Sequence, residues 1–299
     1  MDLSQIDYKL LKALDAVVME QSFERAAQRL FITQSAISQR IKLLEKNFGE
    51  PLLVRSSPLK ASDLGRLLLG HYQRVLQLEA ELSQQLDAQT AVAQTLSLAV
   101  NADSLASWLI SALSPLLQKE NIQLNLFVQD ESTTLERMRS GEALACLSNQ
   151  EKTINGSDSH FIGYMEYVCV ASPDFVDRFF KNGVTQTSLR YAPAMSFDQH
   201  DDMHFSFIRE NFGLQMGEYP CHTIRSSEAF VDLTLASGAY SFNSIFSVEA
   251  HLKAGRLIDL LPEHRVRVPL YWHCWQLGGE LMQSLSKQII SYAREVLKE

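Results

Sequence analysis

The chain has 299 residues, of which 46% are hydrophobic and 21% charged, the balance of a folded protein with two or three compact units. No stretch approaches the roughly 18 consecutive apolar residues of a membrane span, and the opening MDLSQIDYKLL lacks the basic-then-apolar pattern of a signal peptide; a cytoplasmic protein without membrane contact is expected. The net charge of −8 is divided unevenly: residues 1–60 hold nine Lys and Arg against seven Asp and Glu, whereas the remainder holds 18 against 28, the asymmetry of a nucleic-acid-binding head on an acidic body.

In chain order, Leu10, Leu11, Leu14, Val17 and Val18 keep helical spacing, and Ser22 offers an N-cap to a short second helix, FERAAQRL. A third helix follows at once, capped by Thr33, with Ala36, Ile37, Ile41, Leu44 and Phe48 on its buried face and Gly49 at its end. Its other face carries Gln34, Ser35, Ser38, Gln39 and Lys42, small hydrogen-bonding groups suited to base edges. In a helix-turn-helix, the leading residues of the second helix reach the bases while neighbouring cations grip phosphates. Gln34, Ser35, Ser38 and Gln39 are therefore the candidates for sequence readout, and Arg40, Lys42 and Arg55 for phosphate or groove-wall contacts.

From about Ser62 to Asp87, Leu64, Leu68, Val75, Leu78 and Leu82 recur at helical steps without a proline; the expected partner for this stripe is the same helix of a second subunit. From residue 95, short apolar runs alternate with helical stretches: TLSLAV, IQLNLFV, ALACLS and HFIGYMEYVCVA, then APAMSF, CHTI and AYSFN, then VPLYWHCWQL and a closing helix. This is the rhythm of an α/β fold. Cys146, Cys169, Cys221 and Cys274 form no CxxC pair and are read as reduced core residues. Tyr271, Trp272 and Trp275 are assigned to the core. The HDDMH run at 200–204 has metal-ligand spacing but no third ligand cluster, so no metal site is assigned.

Residues 23–55, FERAAQRLFITQSAISQRIKLLEKNFGEPLLVR, resemble the signature helix-turn-helix of LysR-type transcriptional regulators. Through LSLAVNADSLA, FDQHDDMH, PCH, SSEAFV and LYWH the likeness covers the whole chain, and within the family it is nearest to the ArgP type, arginine-export regulators also described as inhibitors of chromosome initiation. The resemblance implies a winged helix-turn-helix over 1–60, a dimerising linker helix over 61–90 and an effector-binding domain over 91–299. That domain would comprise two Rossmann-like lobes resembling periplasmic binding proteins, lobe 1 near 91–164 and 266–299 and lobe 2 near 165–265. It also implies a homodimer or dimer of dimers on double-stranded DNA, lysine or arginine as effector, and RNA polymerase as a further partner. Two departures stand out: SGAYSFNSI replaces a glycine-rich strand ending in proline beside the cleft, and Ser38, Gln39 and Arg40 read SQR where SRQ is commoner.

In open α/β lobes, ligands sit beyond the carboxyl ends of strands, where helices begin. Asn101, Asp103 and Ser104 follow the first strand and Asp130 and Glu131 the second, while Ser196, Asp198 and Asp202 follow APAMSF, and Ser226 and Ser227 follow CHTI. Hydroxyls and helix-start amides suit an amino acid's carboxylate, and the acids suit its ammonium or cationic side chain. No cofactor and no catalysis are expected, since GxSxG, GxxxxGK[ST], HExxH and GxGxxG are all absent. The alternative reading is an architectural or replication-origin DNA-binding protein without effector, which would show a steep salt dependence and little sequence preference.

Overall fold

Three short polar side chains set the helix starts of the N-terminal third in the computed structural model, which describes residues 6–54, 56, 58–86, 94–130, 133–197, 201–276 and 279–297. Asp7, Ser22 and Thr33 accept hydrogen bonds from the backbone N–H groups of Lys9, Arg25 and Ala36, and so cap α1 (Tyr8–Glu20), α2 (Phe23–Arg29) and α3 (Gln34–Phe48). Gly49, left-handed at φ 78°, ends α3. Leu10, Leu11, Leu14 and Val17 meet Ala26, Ala27, Ile37, Ile41 and Leu44 in one apolar core. A hairpin of β1 (Leu53–Val54) and β2 (Lys60–Ala61) follows as a small wing, with Leu53 opposite Ala61.

The long helix α4 (Asp63–Leu86) departs from the expectation that a second subunit covers its whole stripe. Leu68, Leu69 and Tyr72 are buried in the head's own core and Leu64 packs against it, because the first turns of α4 leave the wing directly across that core. Leu78 and Leu82, farther along, remain about half exposed, at 50% and 55%. Between these ends α4 touches the second domain. Gly70 lies against Gly141 so closely that a Cβ on Gly141 would stand 1.9 Å from the Gly70 Cα. The Arg74 guanidinium lies 4.6 Å from the Trp275 ring centroid. Trp275 is thus a joint to the linker, whereas Trp272 is fully buried and donates to Ser286 Oγ at 2.9 Å.

In that domain β3 (Gln94–Asn101) leads through α5 (Ala102–Ser104), a π-helical turn (Leu105–Leu109) and α6 (Ile110–Lys119) to β4 (Ile122–Gln129), and α7 (Thr134–Arg139) leads to β5 (Ala145–Ser148). β4 and β5 flank β3 in parallel. The long β6 (Ser157–Ala171) opens lobe 2, which runs through α8 (Pro173–Phe179), α9 (Gln186–Leu189), β7 (Ala194–Ser196), α10 (Asp202–Phe212), β8 (Cys221–Thr223), α11 (Ser227–Leu235), β9 (Ser241–Ser244), α12 (Ile245–Lys253) and β10 (Ile258–Asp259). β11 (Val266–Trp275) then returns antiparallel between β5 and β6, and α13 (Glu280–Val296) closes lobe 1.

Alternation along the strands divides lobe 1 into two layers. Leu96, Leu98 and Val100 face the core shared with α6 and α13, while Ala99 and Cys146 face Leu135 and Met138 of α7. The lobes share their long strand: β6 pairs with β11 up to Tyr167, and from Tyr167 to Val170 it pairs with β9 of lobe 2. Tyr167 therefore stands at the crossover.

Lobe 2 has its own core of Phe175, Phe180, Leu189, Ile208, Tyr240 and Phe242. His204 lies inside it, 1% exposed, with the rings of Phe205, Tyr219, Tyr240 and Phe242 within 6.2 Å centroid to centroid. It is a core histidine and not part of an exposed ligand pair; His200 lies outside the described residues. Of the four cysteines three are buried, and Cys221 is exposed because β8 is an outer strand with solvent on both faces.

Candidate functional site

Two surfaces are assembled by this fold. The first lies on α3. Its apolar residues are drawn into the head, so Gln34, Ser35, Gln39 and Lys42 are exposed while Ser38 and Arg40 are half-buried beside them. Thr33 Oγ1 and Ser35 Oγ are 3.0 Å apart, which ties the leading turn to its cap. Arg55, between the wing strands, lies outside the described residues.

The second surface is a cleft of about 400 Å³ at the crossover, within the ~300–1,000 Å³ usual for small-ligand sites. Lobe 1 contributes Asn101, Asp103, Gln129, Asp130 and Asn149; lobe 2 contributes Phe197, Asp201, Met203, Ser227, Phe230, Phe242 and Asn243. Tyr167 and Arg267 come from the shared strands. The geometry centres on Asp103. One carboxylate oxygen accepts from the Tyr167 hydroxyl at 2.7 Å and the other from the Ser227 hydroxyl at 2.6 Å, so a single acid joins lobe 1, the crossover strand and the first residue of α11.

Asn101 stands beside it at the carboxyl end of β3, 2% exposed, and neither its amide oxygen nor its nitrogen has a partner in the protein. A buried amide left so is costly, about 1–3 kcal/mol, unless something entering the cleft completes it. Asp201 is used differently: its oxygens accept from the backbone N–H groups of Phe197 at 2.8 Å and His204 at 3.1 Å, capping α10. Arg267 lies 3.8 Å from Glu166 and over the Tyr164 ring.

Four of the residues singled out in the sequence, Asn101, Asp103, Asp130 and Ser227, thus line one cavity although they come from three separate segments. Others are placed elsewhere. Ser226 caps α11 by accepting from Ala229 N–H and donates to Glu228; Ser104 is fully buried; Ser196 is buried at the end of β7, where its carbonyl accepts from Ile224 N–H. Asp202 is the first residue of α10, and Glu131 and Asp198 lie outside the described residues. Tyr167, Asn149, Asn243 and Arg267 were not foreseen, since they lie within strands or loops that carry no local signal of a site. Among the described residues no group of three His, Cys, Asp or Glu is placed to hold a metal ion, and no helix is long and apolar enough to cross a membrane.

A helix-turn-helix head and a two-lobed domain with a cleft at its crossover are the two parts of one known arrangement. Residues 8–66 match the bacterial regulatory helix-turn-helix protein of the lysR family, and residues 89–297 match the LysR substrate binding domain. The chain belongs to the LysR family. It is 50% identical over 294 residues to the HTH-type transcriptional regulator ArgP of Aeromonas salmonicida and 46% identical over 294 residues to that of Proteus mirabilis, covering 98% of each chain in both comparisons. Among solved structures it is similar to ArgP from Mycobacterium tuberculosis, with TM-score 0.85 and 29% identity over 98% of this chain and 99% of that one. It also resembles full-length LysG from Corynebacterium glutamicum with bound effector Arg, with TM-score 0.79 and 27% identity over 98% and 100% of the two chains.

The LysR chain described here is accordingly a DNA-binding transcriptional regulator with an effector-binding domain, and not an enzyme. The alternative of an effector-free architectural protein is not favoured, because the match to the substrate binding domain spans the whole of the second part.

Proposed function

We propose that this regulator reads double-stranded DNA through the exposed face of α3 and answers to L-lysine or L-arginine held in the cleft between its lobes. The observation that carries the effector half is the unpartnered, buried amide of Asn101 beside the Asp103 carboxylate. A free amino acid presents a carboxylate that accepts from the Asn101 amide N–H, and an ammonium that donates to the Asn101 amide oxygen and the Asp103 carboxylate. Asp130, which follows β4 where Gln129 pairs with Asn101 of β3, lines the same cleft and offers a carboxylate suited to a cationic side chain. The bound arginine of the LysG relative is consistent with this chemistry.

On the DNA side, Gln34, Ser35, Ser38 and Gln39 face base edges, and Arg40, Lys42 and Arg55 face phosphates. Leu78 and Leu82, left exposed on α4, offer the seam for a second subunit, which would pair two heads on a partly palindromic site. RNA polymerase is the partner through which a bound regulator would act. The mechanism is linkage: an effector shifts the DNA-bound population only by its differential affinity for the two quaternary states, about 1–3 kcal/mol in typical cases.

Thermal unfolding of the full chain against a panel of single amino acids tests the effector half. Arginine or lysine should raise the midpoint, since a ligand at 100 times its dissociation constant adds roughly 2.7 kcal/mol, and Asp103→Asn should abolish the rise. A midpoint indifferent to every amino acid would remove the sensor from this reading.

A further inference from the structure

Phe31, in the turn between α2 and α3, is 95% exposed. It also sits in the left-handed region at φ 54°, where side chains other than glycine and asparagine are disfavoured. The local hydrogen bonds explain the backbone. Phe31 N–H donates to the Gln28 carbonyl at 3.2 Å and Ile32 N–H to the Ala27 carbonyl at 3.0 Å, the paired bonds of a Schellman motif in which Phe31 holds the position usually given to glycine. Leu30 and Ile32 on either side pack against the head's core, so the turn is pinned from both sides and the intervening side chain is thrown outward. The largest apolar group in the turn therefore contributes nothing to the core and occupies a backbone site that a glycine would fill with less strain. Its placement is two residues before the Thr33 cap of α3, at the end of the helix where Gln34 and Ser35 are exposed. That end is the one a recognition helix inserts into the major groove.

We propose that Phe31 is a DNA-contacting, specificity-determining residue whose ring packs on thymine methyl groups in the major groove, at the edge of the sequence read by α3. The chemistry fits: the C5-methyl of thymine is the apolar feature of that groove, and aromatic side chains are among the groups that contact it. The inference rests on α3 being the groove-facing helix, and the controls below separate the failure of one from the failure of the other.

The test uses a duplex enriched by the full-length protein from a random-sequence pool, and the same duplex with each thymine replaced in turn by deoxyuridine, which removes only the methyl. Phe31→Ala should weaken binding roughly three- to tenfold, the scale of about one or two buried methylene equivalents. Deoxyuridine at one or two positions should weaken the parent protein and leave Phe31→Ala unaffected. Phe31→Gly should bind as weakly as Phe31→Ala yet melt at or above the parent temperature, because glycine suits the left-handed turn; this excludes unfolding as the cause. Equal losses for Phe31→Ala on thymine and deoxyuridine duplexes would overturn the methyl contact, and undiminished binding by both variants would overturn the proposal altogether. If Gln34→Ala weakens binding while Phe31→Ala does not, the groove-facing helix stands and only the Phe31 inference falls.

Discussion

The head and the effector domain solve the burial problem in opposite ways. The core of the head, among the described residues, is built of apolar and aromatic side chains and closes between helices adjacent in the chain, with the Asp15 carboxyl half-buried beside it. The effector domain buries Asn101, Ser104, His204, Asn243 and His273, and its cleft is gathered from residues between 101 and 269. A DNA-reading face needs only one helix held from behind. A binding cleft needs polar groups brought together from distant segments and kept from water until a ligand arrives, and that difference sets where each domain is vulnerable.

Acid should separate the two most sharply. Burial pushes the His204 imidazole down from 6.5 to about 4, so the folded protein resists a proton that the unfolded chain accepts. Its stabilising contribution is complete above about pH 6.5 and is lost as pH falls from there to about 4; a shift of this size is worth roughly 3 kcal/mol. In the head the sign is reversed: burial raises the Asp15 carboxyl, partly offset by Arg29 and the Gln73 hydrogen bond, so its contribution is greatest in acid and lost as pH rises through the folded value. Denaturant melts between pH 7 and 4 should therefore show lobe 2 weakening before the head, and His204→Phe should flatten that loss. An unchanged pH profile in the variant would place the acid lability elsewhere.

The contact between the regions should be the next most sensitive. Gly141→Ala drives a Cβ into the Gly70 backbone and forces a left-handed alanine at φ 75°, which should lower stability by about 2 kcal/mol. Because the clash falls at the joint of linker and lobe, it should also weaken the effect of any effector on DNA affinity while each isolated binding step survives. Calorimetry together with binding assays on the one variant would distinguish a joint from a merely tight spot.

Smaller effects should arise at the DNA face, where solvent surrounds the side chains. Gln34→Ala should cost about 1–2 kcal/mol of affinity on a selected site and relax preference at one base pair. Lys42→Ala should weaken all duplexes alike and reduce the slope of log K against log salt by about 1, read from titrations between 50 and 200 mM salt.

How far each region could be read from the chain follows the same division. The three head helices, their caps at Ser22 and Thr33 and the stop at Gly49 were legible because cap, stripe and turn lie within a few residues of one another. In the second domain the strands were legible as apolar runs, and Asn101, Asp103, Asp130 and Ser227 could be nominated because strand ends are the default ligand sites. Tyr167 could not: inside the fifteen-residue β6 it resembles any other core aromatic, and only the change of partner from β11 to β9 makes it the crossover. Ser196 and Ser226 were nominated by the same rule as Ser227, yet a hydroxyl's direction at a helix start is fixed by one residue of register, and Ser226 turned back to cap its own helix. The division of the α4 stripe between the head and the exposed Leu78 and Leu82 depended likewise on tertiary packing that periodicity does not encode.

The claim that cleft and head act on one another is tested most directly by reciprocal titration. The dissociation constant of the full chain for a selected duplex is measured with and without saturating L-arginine or L-lysine, and that of the amino acid with and without the duplex. The account predicts the same factor from both directions, about 5- to 150-fold, and its loss in Asp103→Asn. A DNA affinity untouched by either amino acid, in a protein that still binds the duplex selectively, would contradict it.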